Sequence, residues 1–558
     1  MTQPQSPASQ TPAARTRRLA VAVLGVVVAV AGCSLVQPRA TAPSPSPARA
    51  SQATPTGRPA TFSEFDPAQH ETWTKNTSPD RLSTGAAATS SATPEGFAEP
   101  PAGHGLQRYA DQPPAWSPCP EHPGVDCASV LVPLDWDEPD GQAITLAIAR
   151  KQGTGTHRAT LFVNPGGPGV SGTSMAANFD LGPYPGHDVV GWDPRGSGGS
   201  TPVVCGSTAQ TDAFNAADPT PRNEAELERL KAASEAFARQ CRASSGVLLD
   251  HISTIDTARD LDYLRWLVGD DKLSYLGISY GTFIGATYAE LYPQRVGRMV
   301  LDSAVNITDN ESVIQAMGFD ASLKDFAAWC VRLGDCALGA DQKAVVTTIN
   351  AWVAGLDTKP LTVNGHTFGS IAAITGVAAF MYAGVPGYRN LYNSLQWAVL
   401  SHEPRYIAQA GDTMIGRRTD GSYSSLAYAF PAISCVDWAD AGVAGARRQW
   451  VVDRGRAPIF GFWFGVNLTC PVWTARPAPQ LRLTAKGSAP IVVLGSTIDP
   501  ATPYQQAVWM SEQLDHAVLI TREGAGHSAY ELGGACVRRP VEAYLNDGTV
   551  PKATTCKG

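Results

Sequence analysis

The chain has 558 residues, too many for one ordinary domain unless that domain carries large insertions. Hydrophobic residues make up 43% and charged residues 17%, which excludes a disordered chain and provides for a sizeable core. The formal net charge is −7 and no basic block interrupts it, so a nucleic-acid partner is not expected.

The first element in chain order is an address. Arg15, Arg17 and Arg18 precede an uncharged run from Leu19 to Ala31, followed by Gly32 and Cys33. A basic patch, an apolar stretch and small residues at a cleavage point read as a secretory signal over residues 1–32. The 13-residue run falls short of the roughly 20 apolar residues of a membrane span. Val30-Ala31-Gly32-Cys33 resembles the bacterial lipobox, which implies acylation of the Cys33 thiol and a lipid anchor in the outer face of the cell membrane. Residues 33–100 are rich in Ser, Pro, Ala and Thr and predict a flexible tether that holds a folded domain away from the bilayer.

Cysteine usage agrees with export. Of 11 cysteines, assigning Cys33 to lipid leaves ten. Sequence alone does not give connectivity. Neighbours along the chain point to Cys119–Cys127, Cys205–Cys241, Cys330–Cys336, Cys435–Cys470 and Cys536–Cys556. No Cys-x-x-Cys pair or histidine cluster accompanies them, so neither a metal site nor a cofactor is expected, and an oxidising exterior is the simpler reading.

Ordered structure is expected from about Trp116, within a core segment 101–305. Ala128–Trp136 and Ala143–Arg150 alternate as strands around a turn at Asp137–Gly141, an antiparallel hairpin. Ala159–Val163 runs into Asn164-Pro165-Gly166-Gly167-Pro168-Gly169, and Asp188–Trp192 into Asp193-Pro194-Arg195-Gly196-Ser197-Gly198. Short buried strands that stop in glycine-rich loops predict parallel strands delivering those loops to one sheet edge. Thr254–Val268 has helical apolar spacing, with Thr254 as its cap. Strand Leu273–Leu276, a turn at Gly277–Gly281, helix Thr282–Tyr292 and strand Arg298–Leu301 follow. From residue 306 to about 480 the pattern is helical without clear strands. Strand character returns at Pro490–Leu494 and Ala517–Thr521, in a final core segment 481–558. The alternation predicts a doubly wound α/β fold, mostly parallel, with an inserted helical cap.

Gly277-Ile278-Ser279-Tyr280-Gly281 fits G-x-S-x-G between a strand and a helix, the context in which a serine stands clear of the backbone as a nucleophile. A base should follow late in the chain, after an acid. Beyond residue 402 the histidines are His516, at the start of the last strand, and His527, in the Gly-rich loop just past its end. His527 is therefore the expected base. Asp499 ends Val492–Pro500 after another strand and is the expected acid, fixing the imidazole tautomer. Acyl transfer also needs donors for an oxyanion, expected from the backbone N–H of Gly166 or Gly167 together with that of Tyr280.

The order NPGGPG, GWDPRGSGGS, GISYG, a distant Asp and a GxGH histidine resembles the prolyl aminopeptidase and tripeptidyl aminopeptidase group of α/β-hydrolases over roughly residues 116–558. Asn164 stands where prolyl-specific members usually carry His. The secreted tripeptidyl branch is the better match, through Ala432-Ile433-Ser434-Cys435-Val436-Asp437 and the Cys536–Cys556 module. The resemblance implies an exopeptidase at the cell envelope that takes tripeptides or single residues from the free N-termini of peptides. It implies a cap that closes one end of the cleft and carboxylates that bind the substrate ammonium, with Asp437 as candidate. A carboxylesterase using the same triad is the alternative.

Overall fold

The computed structural model describes residues 62, 64–73, 80–82, 96–155 and 159–558. The predicted signal peptide, Cys33 and the tether up to residue 61 lie outside them. Among the described residues, eleven strands form one sheet. They are β1 (Phe97–Ala98), β2 (Ser117–Pro118), β3 (Val125–Pro133), β4 (Ala143–Lys151), β5 (Ala159–Asn164), β6 (His187–Trp192), β7 (Leu273–Ile278) and β8 (Val296–Asp302), then β11 (Ile491–Ile498), β12 (Ala517–Ala525) and β13 (Thr554–Lys557). A separate hairpin holds β9 (Leu361–Val363) and β10 (His366–Phe368).

The sheet order is β13-β12-β11-β8-β7-β5-β6-β4-β3-β2, with β1 beside β4. From β13 to β6 every pairing is parallel; the expected hairpin β3–β4 makes the antiparallel end. The apolar runs are continuous because both faces of these strands are covered. Tyr275, Met299, Ile491 and Val493 pack on one side, against Leu261 and Leu264 of helix Thr254–Leu267 and Ile284 of helix Tyr280–Leu291. Their chain neighbours Leu276, Val300, Val492 and Leu494 pack on the other, against Val537 and Val541 of helix Ala535–Asp547.

Between β8 and β11 the chain leaves the sheet and builds a cap with its own core, which includes Phe319, Phe326, Ile349, Val377, Tyr388 and Ile407. The cap is mainly helical, with one correction. Asn364-Gly365, with φ of 52° and 81°, turns the short hairpin β9–β10, a two-residue signal that the helical pattern around it obscures. The 22-residue helix Glu224–Ser245, which reaches the cap through Leu227 and Leu230 beside Trp450, has no counterpart in the expected elements. The cap of helix Thr254–Leu267 is Ser253, whose Oγ accepts from the Asp256 N–H at 3.1 Å, so Thr254 sits one step inside.

Some described residues of the expected tether contact the folded domain. Phe62 is buried, 5.2 and 4.8 Å from the rings of Tyr263 and Trp266. The Trp73 N–H donates to the Gln480 carbonyl at 2.7 Å, and the Arg81 guanidinium donates to the carbonyls of Cys435 and Ala475 at 2.6 Å each. A few apolar and cationic anchors thus dock a stretch whose average composition reads as linker. All five cysteine pairs expected from the sequence are joined as disulfides.

Candidate active site

Parallel strands end on one edge of the sheet, and the residues singled out above are gathered there. β7 stops at Ile278, and Ser279 takes φ 59° and ψ −125° before helix Tyr280–Leu291 begins. That left-handed conformation is strained for a residue with a Cβ and is held by its surroundings. The Ser279 N–H donates to the Asp302 carbonyl at 2.9 Å, and its own carbonyl accepts from the Thr282 N–H at 2.8 Å. The side chain is half-buried.

The glycine loop after β5 lies directly against this turn. A Cβ on Gly166 would come 2.8 Å from the Tyr280 nitrogen and 3.0 Å from the Ser279 Cβ, so only glycine permits the approach. The Gly166 N–H donates to Asn164 Oδ1 at 2.9 Å, which gives Asn164 a clear function in shaping the loop. The neighbouring loop after β6 is fixed by buried charge. Arg195 binds Asp260 through two hydrogen bonds of 2.8 and 2.7 Å, both side chains fully buried. Arg195 also donates to the carbonyls of Leu134 and His251. A buried ion pair is tolerated when such donors and acceptors are matched.

Asp499 follows β11 and His527 follows β12. His527 Nδ1 lies 2.9 and 3.0 Å from the two oxygens of Asp499. Asp499 Oδ1 also accepts from the N–H groups of Ala501 and Thr502 at 3.0 Å, and Oδ2 from Ser303 Oγ at 2.8 Å. Burial pushes the His527 imidazole down, but the Asp499 charge and hydrogen bond, with Asp302 and Glu531 behind them, outweigh it and hold the pKa above the usual histidine value. His516 sits at the opposite end of β12, its side chain 67% exposed, away from this edge.

Residues without a sequence motif complete the site. Asp302, at the end of β8, accepts from Ser528 Oγ at 2.7 Å and from the N–H groups of Ala529 and Tyr530 at 2.8 and 3.1 Å. Burial raises its pKa, while those donors pull it back. Ser303 donates to Asp499 and accepts from the Ser528 N–H at 2.8 Å. One strand end therefore joins the serine turn, the aspartate loop and the histidine loop. Thr502 Oγ1 stands 3.3 Å from His527 Nδ1. The signal for these residues in sequence is only that Asp302-Ser303 ends a strand of the same parallel set.

The cap touches the same loops from above. A side chain on Gly318 would collide with the carbonyls of Asp499 and Pro500, and one on Gly384 with the carbonyl of Ala525. The Tyr382 carbonyl accepts from the His527 N–H at 2.8 Å, and its ring stands edge-on to the imidazole at 5.2 Å. Phe319 lies 6.0 Å from Tyr382 and 5.4 Å from the exposed Phe464, so an aromatic wall leads away from His527. Asp437 is in the cap but is buried against the core. It accepts from the Thr254 N–H at 2.7 Å and from Thr254 Oγ1 at 2.6 Å, and Tyr280 Oη donates to it at 3.4 Å. Burial pushes its carboxyl up to about 7, against the pull of those donors. Among the described residues no group of His, Cys, Asp and Glu is arranged to hold a metal ion.

A parallel sheet, a strained strand–Ser–helix turn and a His–Asp pair on the same edge define an α/β-hydrolase. Residues 457–556 match the family model described as TAP-like protein. Serine protease Hip1 of Mycobacterium tuberculosis is 34% identical over 475 residues, covering 79% of this chain and 90% of the relative. Tripeptidyl aminopeptidase of Streptomyces coelicolor is 32% identical over 470 residues, covering 77% and 83%. Carboxylesterase B of M. tuberculosis is 34% identical over 456 residues, covering 76% and 85%. The chain belongs to this tripeptidyl-aminopeptidase-like family of α/β-hydrolases, and it is a serine hydrolase.

Proposed function

We propose that the protein is an exported exopeptidase that releases tripeptides, or shorter units, from the free N-termini of peptides. The observation that carries the chemistry is the His527–Asp499 pair at 2.9 Å on the sheet edge that also bears the Ser279 turn. Ser279 attacks the scissile carbonyl as His527 takes its proton. Asp499 holds the Nδ1–H tautomer and stabilises the imidazolium. The tetrahedral oxyanion is met by the N–H of Tyr280 and that of Gly167, since the Gly166 N–H is already engaged by Asn164. His527 then protonates the leaving amine, and water resolves the acyl-enzyme by the same route.

The relative named serine protease supports peptide cleavage, and the exopeptidase character is supported by the relative named tripeptidyl aminopeptidase and by a cap that packs on the Asp499 and His527 loops. Asp437 is not the ammonium ligand in this reading, because both its oxygens face core groups. Acetylating the amine of a tripeptide amide should lower kcat/KM at least roughly tenfold, the cost of a lost charge-assisted hydrogen bond. Equal rates on free and acetylated peptides, with faster turnover of simple acyl esters, would favour the second reading. That reading is a carboxylesterase, supported by the relative so named. Lipidation of Cys33 and a place on the outer face of the membrane belong to the same proposal. They rest on the lipobox-like run and on five disulfides that suit an oxidising compartment. A Cys33→Ser protein should then lose membrane attachment.

A further inference from the structure

Asp437 remains outside the chemistry assigned above, yet it is tied to it. It ends the cap helix Leu426–Asp437, and its carboxylate, the Thr254 hydroxyl and the Tyr280 hydroxyl form one buried cluster in which Thr254 Oγ1 also meets Tyr280 Oη. Tyr280 is the first residue of the helix after Ser279, and its backbone N–H faces the glycine loop. Its ring is buried 6.3 Å from Phe283 and 6.5 Å from Trp438, and those two stack at 5.4 Å. Anchoring the ring at its hydroxyl limits rotation about the N–Cα bond, and so fixes where the N–H points.

The same helix meets the opposite side of the proposed oxyanion hole. The open face of Gly169 lies on Ala429, where a Cβ would come within 2.9 Å of the Ala429 Cβ. The Gly198 N–H donates to Ser425 Oγ, just before the helix, at 2.7 Å. The Cys435–Cys470 disulfide and Arg81, donating to the Cys435 carbonyl, hold the helix itself in place. One rigid element therefore spans both donor segments.

We propose that helix Leu426–Asp437 is the frame of the oxyanion hole. Asp437 is a positioning residue that acts through the Tyr280 hydroxyl to aim the Tyr280 N–H, while Ala429 backs the Gly166–Gly169 loop. This rests on the assignment of Tyr280 and Gly167 as oxyanion donors. Cutting the brace misaligns a donor without removing it, so transition-state binding falls while ground-state binding is kept.

Asp437→Asn retains an oxygen for the Thr254 N–H. On a free-amine tripeptide amide its kcat should fall roughly tenfold to thirtyfold, less than the 10²–10³ for loss of a donor outright, with KM changed less than about twofold. The Ki of a peptidyl trifluoromethyl ketone, whose hemiketal oxygen occupies the oxyanion position, should rise by the same factor. Tyr280→Phe keeps the ring and the N–H and should reproduce both shifts. The double variant should be no worse than the worse single one, because the two act as a unit. If thermal melting shows that Asp437→Asn does not fold, the Tyr280→Phe measurements decide. Wild-type kcat and Ki in Tyr280→Phe overturn the proposal. So does an Asp437→Asn loss confined to KM for free-amine peptides, which would make Asp437 an ammonium ligand. Near-wild-type turnover by Ser279→Ala would instead overturn the serine-nucleophile reading from which the oxyanion donors follow, so the two failures are distinguishable.

Discussion

At the sheet edge, Asp302 and Asp499 stand at or just past strand ends, each held by several hydrogen bonds from the loops beside it. In the cap, Gly318, Gly384 and Ala429 meet the loops around Ser279 chiefly through shape, beside two hydrogen bonds, from the His527 N–H to the Tyr382 carbonyl and from the Gly198 N–H to Ser425 Oγ. The first region is a polar network that fixes reacting groups, and such networks are over-determined because a buried polar group left unpaired is costly. The second is a steric cover, positioned by glycines where two backbones must approach. Substitutions at the edge should therefore appear in kcat and in pH dependence, and those in the cap in substrate choice or in donor alignment.

The largest effect is expected from Asp499→Asn. It leaves the shape intact but favours the wrong imidazole tautomer, so kcat should fall on the order of 10⁴. The pH profile should move as well. As the proposed base His527 must be neutral, so wild-type kcat/KM should be lost as pH falls through a His527 pKa held above the usual histidine value. Removing the Asp499 charge should shift the acidic limb to lower pH. A limb that stays in place would detach the two residues.

Ser303→Ala should have a smaller effect, roughly tenfold in kcat, because it leaves Asp499 Oδ2 and the Ser528 N–H without their shared partner. An unchanged kcat would show that the edge tolerates the loss of its central hydroxyl. His516→Ala, at the far end of β12, should leave turnover within about twofold of wild type.

The sequence made the sheet and the Ser279, Asp499 and His527 positions legible for a physical reason. Parallel strands buried on both faces leave continuous apolar runs, and loops that approach a reacting centre need glycine. The roles of Asp302 and Ser303 were not legible, because Leu301-Asp302-Ser303 carries no motif and gains meaning only when β8 falls between β7 and β11. The docking of Phe62 and Arg81 was hidden by the Ser- and Thr-rich residues around them. Asp437 is the converse case. A carboxylate in a motif-bearing cap segment suggests ligand binding, but its partners turned out to be Thr254 and Tyr280 of the core.

Ser279 is the proposed nucleophile of this edge. Wild-type protein treated with a fluorophosphonate, digested and mapped by mass spectrometry tests it directly. The label should fall on the peptide containing Ser279, in step with loss of peptidase activity, and should be absent from Ser279→Ala. Inactivation with the label on another residue, or an inactivated enzyme whose Ser279 peptide is unmodified, would contradict it.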